Sequence, residues 1–255
     1  KGMTSEILWG EDRNQNGILD PNEDDDEDGE LDFGLANFIT VFSVDKNVQA
    51  DGSERININD ENADYDNALG GELSSQTIGL IRAFNSFPSV GYLLDVQGVT
   101  TQNFKRIVDR VTVIPSPIPG LININTAPKA VLLTVPGIVE EMVEAIIVYR
   151  SQEDVELSNI GWLLDVQLEE EIKKEQLKQI ATYITTRSYQ FRIDSVGRIG
   201  QRIEDTDGSD QQEIFAFKRF LAIYDKLQEP SRPIYFKDIS SRGFPYNPWE
   251  KPQSP

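Results

Sequence analysis

The chain has 255 residues, 38% of them apolar and 9% aromatic, which is enough for one large domain or two ordinary ones with a packed core. It contains neither histidine nor cysteine, which excludes imidazole and thiolate zinc sites, Ser-His and Cys-His nucleophiles and histidine proton shuttles, so the chain reads as a non-enzyme. The formal charge of −19 is uneven: residues 1–35 set twelve acids against Lys1 and Arg13, and the remaining excess is also negative, the wrong sign for binding nucleic acid or anionic lipid.

The first predicted element is a calcium loop. From Asp12 to Glu23 the chain places oxygen side chains at loop positions 1, 3, 5, 9 and 12 and glycine at position 6. A hard cation takes six to eight oxygens, so Asp12, Asn14 and Asn16 supply one each, Ile18 its carbonyl, Asp20 a direct or water-mediated contact, and Glu23 two. Gly17 permits the sharp turn, and Leu19 is expected to pin the loop to a core. A second loop follows at once, with Asp24, Asp26, Asp28, Gly29, Glu30 at the carbonyl position, and Asp32. Its position 12 is Leu35, so it either binds more weakly or borrows a carboxylate from its neighbour. A merely solvated acidic run is the competing reading, and two glycine-centred loops in register argue against it. Calcium is expected to rigidify residues 12–32 and lock them onto the helical domain. Loops of this type fill readily outside the cytosol.

Residues 36–190 read as a helical repeat domain. Gly91-Tyr92-Leu93-Leu94-Asp95-Val96-Gln97 recurs as Gly161-Trp162-Leu163-Leu164-Asp165-Val166-Gln167. Each copy runs through a predicted helix, 103–110 or 173–181, into a β-branched segment, 110–113 or 183–186, and Phe38–Ser43 resembles the end of an earlier copy. The extended signatures 55–60, 121–126 and 191–195 alternate aliphatic with polar residues and place their isoleucines on one buried face. Asn125 or Thr126 stands where an N-cap belongs, Pro128 follows early, and 130–135 carries a helix. Val135-Pro136-Gly137-Ile138 and the apolar stretch to Arg150 then complete a helix-hairpin-helix. DNA-binding versions offer hairpin amides to phosphate. Here Glu140 and Glu141 follow the hairpin, which opposes that use.

From about residue 191 to 243 the pattern becomes strands at 189–196, 215–224 and 233–238, with Phe217, Phe220, Ala222 and Tyr224 expected to mark the half-buried face of an antiparallel sheet. The loop Asp205–Asp210 reads as a hairpin tip, since its spacing gives no full ligand set, and residues 244–255 read as an irregular, proline-rich tail.

In this order, the Ile-Asn-Ile-Asn-Thr-Ala signature at 122–127, the Val135–Ile138 hairpin with 145–150 behind it, Phe191–Gly197 and Pro233–Asp238 resemble the K-type minor pseudopilins of bacterial type II secretion systems, the general secretion pathway protein K family. The likeness covers roughly residues 36–243. It implies an α+β chain: a helical domain with repeated helix-hairpin-helix-like units plus a C-terminal antiparallel pilin-like sheet. It also implies a calcium-stabilised structural subunit at the tip of a pseudopilus that binds other minor pseudopilins, and a periplasmic domain held to the inner membrane by an N-terminal helix absent from this chain. The chain opens at Lys1 without a signal peptide, as expected of a processed product or of a chain whose anchor has been removed. The calcium loops lie ahead of the repeats rather than in the family's usual place, so their ligands are assigned from spacing alone. The alternatives are a calcium-dependent extracellular or periplasmic interaction domain and, less favoured on charge, a nucleic-acid module.

Overall fold

The computed structural model describes residues 2–115, 117–204 and 210–243. The chain is α+β and divides into two compact units: Lys1–Phe42 with Gln190–Pro255, and Ser43–Tyr189. The acidic segment, expected to stand as its own region at 1–35, therefore groups with the C-terminal strands.

The first unit opens with helix α1 (Ser5–Trp9), N-capped by the Thr4 hydroxyl, which accepts from Ile7 N at 3.3 Å. It ends at Gly10, which bridges to Phe33 after the two acidic loops have been traversed. There the backbone closes on itself: a Cβ on Gly10 would lie 2.1 Å from Asp32 O, and one on Gly34 would lie 2.3 Å from Gly10 N. Phe38–Ser43, likened to the β-branched segments, forms no strand among the described residues, although Ser43 O accepts from Gly120 N at 2.9 Å. Val41 is 91% exposed, because β-propensity without a neighbouring edge does not make a strand.

The second unit contains β1 (Val44–Asp45), β2 (Ile56–Asn57), α2 (Tyr65–Leu69), α3 (Ser75–Arg82), a 3-10 turn at Val90–Asp95, α4 (Thr101–Ile107) and β3 (Val111–Thr112). It continues with β4 (Ile118–Pro119), β5 (Ile122–Asn123), α5 (Lys129–Leu132), α6 (Glu140–Arg150), a 3-10 turn at Ile160–Leu164, α7 (Glu170–Ile180) and β6 (Ile184–Thr185). β2 pairs in parallel with β3, and β5 with β6, so each stretch of strand, two helices, 3-10 turn, helix and strand closes on itself. The equivalent isoleucines Ile58 and Ile124 each donate N–H across their ladder at 2.9 Å, to Thr112 O and Thr185 O. Both are buried in one shared core with Leu93, Phe104, Leu163 and Leu177.

The repeated heptapeptide joins the two copies reciprocally. A Cβ on Gly91 would lie 2.7 Å from Lys178 Cα in α7, and one on Gly161 would lie 3.0 Å from Lys105 Cα in α4. The aspartates follow the same exchange: Asp95 pairs with Lys178 at 3.3 Å and Asp165 with Lys105. Asn125 does not cap α5, whose N-cap is Pro128 with no side-chain bond. Its amide instead donates to Leu157 O and Thr186 O and accepts from Trp162 Nε1. Tertiary partners outcompete the local cap here.

The chain returns to the first unit as an antiparallel meander of β7 (Gln190–Glu204), β8 (Asp210–Asp225) and β9 (Arg232–Asp238). Phe217, Phe220, Ala222 and Tyr224 of β8 are half-buried, as expected. Among the described residues of β8 the buried ones are Arg219, Leu221 and Ile223. Arg219 tolerates burial because its guanidinium forms a fork with the Asp194 carboxylate across the β7–β8 pair, with contacts of 2.6–3.2 Å. The expected hairpin tip and tail, with Trp249, lie outside the described residues. Among the described residues no helix is long and apolar enough to cross a membrane.

Candidate metal centre

In both acidic loops the backbone wraps around side-chain oxygens in the same way. In the first, Gly17 N donates to Asp12 Oδ2 (3.2 Å), Asn16 N to Asn14 Oδ1 (2.9 Å) and Ile18 N to Asn16 Oδ1 (2.6 Å). In the second, Gly29 N donates to Asp24 Oδ2 (3.3 Å), Asp28 N to Asp26 Oδ1 (3.2 Å) and Glu30 N to Asp28 Oδ1 (2.7 Å). The left-handed residues also coincide: Gln15 and Gly17 in one loop, Glu27 and Gly29 in the other. Side chains at positions 1, 3 and 5 are thus turned inward by the amides at 6, 5 and 7. Glycine is needed at position 6 because φ there is +82° and +76°.

The first loop gathers its expected ligands. The Asn14 and Asn16 amides both reach Asp20 Oδ2, at 2.6 and 3.1 Å, and Glu23 Oε1 accepts from Asn14 N at 3.1 Å. Glu23 is 3% exposed, and its Oε2 has no hydrogen-bond partner, nor has the buried Asp12 Oδ1. A buried carboxylate oxygen without a donor is costly, and a divalent cation is the partner this donor set suits. Ile18, expected to offer its carbonyl, is bonded through its N–H to Asn16. Leu19 is half-buried.

The second loop lacks a carboxylate at its end, since Leu35 is exposed and begins a short 3-10 turn. A carboxylate that the loop spacing did not assign, Glu11, stands against this loop instead. Carboxylate oxygens of Glu11, Asp24 and Asp26 lie within 4.8 Å of one another. Glu11 is 3% exposed, accepts from Asp25 N at 2.8 Å and Asp32 N at 3.0 Å, and donates its own N–H to Asp32 O at 2.9 Å. These amides, that of Asp32 foremost, hold the Glu11 carboxyl below its ordinary range. Asp24 Oδ1 is buried without a partner. Asp28, whose Oδ1 accepts from Glu30 N, and Glu30 are exposed residues, and Asp32 joins through its backbone. A sequence signal for Glu11 existed: Glu11-Asp12 and Glu23-Asp24 repeat the same dipeptide twelve residues apart.

Cationic side chains are scarce around these carboxylates. Among the described residues of the segment, Arg13 pairs with Asp25 at 4.0 Å, both side chains being exposed. The buried Arg219 of β8 reaches the Asn16 carbonyl at 3.4 Å. The first loop is therefore tied to the C-terminal sheet within the first unit.

The turn between α5 and α6 was the other candidate site. Two of its backbone groups are already paired: Val139 N donates to Gln176 Oε1 at 2.9 Å, and Gln176 Nε2 donates to Gly137 O at 3.2 Å. Lys129, the neighbouring cation, is held by Glu140 and Glu144 at 3.0 and 3.1 Å, which raises its pKa. Comparison with protein-family models, with curated proteins and with solved structures gave no match for this chain.

Proposed function

We propose that this chain is a calcium-stabilised structural subunit at the tip of a bacterial type II secretion pseudopilus, acting by binding other minor pseudopilins and not by catalysis. The observation that carries the calcium part is the pair of loops with matching bonds from backbone amides to side-chain oxygens, in which Asp12, Glu23 and Asp24 each keep one buried oxygen without a donor. Filling the second loop with calcium neutralises the Glu11, Asp24 and Asp26 carboxylates, which otherwise repel across less than 5 Å, an interaction of about 1–3 kcal/mol per pair near a protein surface.

The assembly part is supported by the order of motifs, from the asparagine-rich signature through the hairpin to the closing strands, and by the α+β composition of the chain. On this reading the second unit is a pair of helix-hairpin-helix-like repeats and the meander is a pilin-like sheet. The domain works in the periplasm, where calcium is plentiful, and an N-terminal helix outside this chain anchors it in the inner membrane. Phe33, Leu35, Ile39 and Val41, exposed by 40% or more directly after the second loop, offer the apolar surface for a partner subunit. Calcium orders the segment that presents them.

Nucleic-acid binding is disfavoured by the hairpin amide committed to Gln176 and by the acidic surroundings. The test is co-purification with the other minor pseudopilins of the same secretion system in calcium and in chelator. Calcium-dependent capture is expected. Calcium binding without capture would leave a calcium-dependent interaction domain of another kind.

A further inference from the structure

We infer that the two loops form one coupled pair of cation sites, each Glu-Asp dipeptide being shared between both ions; this rests on the calcium reading above. Glu11 immediately precedes Asp12, the first ligand of the first loop, yet its carboxylate clusters with Asp24 and Asp26 of the second. Glu23 closes the first loop through Asn14 N and immediately precedes Asp24, the first ligand of the second. Adjacent Cα atoms are fixed about 3.8 Å apart, so an ion that positions Asp12 and Glu23 also positions the backbone that delivers Glu11 and Asp24 to the other site.

Of the four unmet buried oxygens among the described residues, three fall on these same dipeptides, Asp12 Oδ1 on one and Glu23 Oε2 and Asp24 Oδ1 on the other, with Glu23 almost fully buried; the fourth, Gln15 Oε1, belongs to the first loop. Asp32, the ninth residue of the second loop, is bonded to Glu11 through both its N–H and its carbonyl. The Gly10–Gly34 crossing leaves no space for a Cβ on either strand. The segment is thus a closed ring of two loops, and each loop is completed by the residue that introduces the other. The first ion bears most of the cost of ordering that ring, and the second binds to a ring already ordered, which produces positive cooperativity.

The experiment is a titration of calcium chloride into the chelator-stripped full chain. Binding is read by calorimetry, and each loop is read separately by the amide resonance of its own glycine, Gly17 or Gly29. Asp26→Asn is the main variant: the residue is exposed, belongs to the second loop only, and asparagine keeps the oxygen that accepts from Asp28 N. We expect two ions with a Hill coefficient above one. Asp26→Asn should lower first-loop affinity by about fivefold or more, although it touches no first-loop ligand, and Glu11→Gln should weaken both loops. Two ions binding with a Hill coefficient of one, and a first loop indifferent to Asp26→Asn, would overturn the coupling and leave the calcium reading intact. Absence of any calcium binding by the unaltered chain would overturn both.

Discussion

The helical unit and the acidic segment fold by opposite means. Between Ile58 and Ile184 a continuous apolar core is closed by residues such as Leu69, Ile81, Leu163 and Ile180, none of which is measurably exposed. Between Gly2 and Phe42, among the described residues, the buried side chains are two glutamates and no large apolar group. One region is held by removing hydrocarbon from water, which needs no ligand. The other buries charge and so depends on whatever neutralises it. Two regions of one chain should therefore respond to different insults.

The largest effect should come from opening the apolar core. Leu163→Ala removes a fully buried side chain from the repeated heptapeptide and should destabilise the helical unit by about 3–5 kcal/mol. In calorimetry its transition should fall while calcium affinity stays unchanged; a parallel loss of calcium binding would mean that the two regions are not energetically distinct. Next comes calcium itself. At calcium concentrations 100-fold above Kd the first unit should gain about 2.7 kcal/mol, so stripping the ion should lower its transition by roughly 10–20 °C and leave the helical transition in place. Equal shifts of both transitions would dissolve the contrast.

Gly10→Ala should cost about 1–3 kcal/mol, since a Cβ meets Asp32 O at 2.1 Å and φ is +63°, with second-loop calcium affinity reduced as Glu11 is displaced. Unchanged affinity would show that the Gly10–Gly34 crossing does not position Glu11. The double change Ile39→Asp and Val41→Asp should abolish partner capture with less than about 0.5 kcal/mol effect on stability, because both side chains are exposed. The smallest effect concerns the reciprocal ion pairs. Glu175, and after it Asp95, raise the Lys178 pKa above its ordinary 10.5 against the opposing effect of burial. A raised lysine pKa contributes stability that is complete below pH 10.5 and is lost as pH rises through the folded value. Lys178→Gln should accordingly cost only about 0.2–1 kcal/mol at neutral pH, and the difference from the unaltered chain should vanish in strong alkali.

Much of the helical unit was legible because its signals are local and repeated. The heptapeptide, the helix after each copy and the β-branched closing pairs are short-range patterns, and α4, α7, β3 and β6 lie where those patterns predict. One departure shows where local signals end. Asn125 looked like a cap because it is judged locally by propensity, and distant groups, Trp162 and Thr186, decided otherwise.

The cation loops divide in the same way. Spacing alone determined the two turns, because an inward oxygen at positions 1, 3 and 5 with glycine at 6 is bonded by amides at most six residues away, and so close a range is written in the chain itself. The heptapeptide likewise determined its own 3-10 turn. Only the tertiary structure decided that Glu11 serves the second loop, that Asn16 meets Arg219, and that Gly91 and Gly161 face each other's helices. Those contacts depend on chain closure across 21, 203 and about 60–90 residues. No local propensity reports on closure, because its entropic cost is repaid only by the whole packed unit.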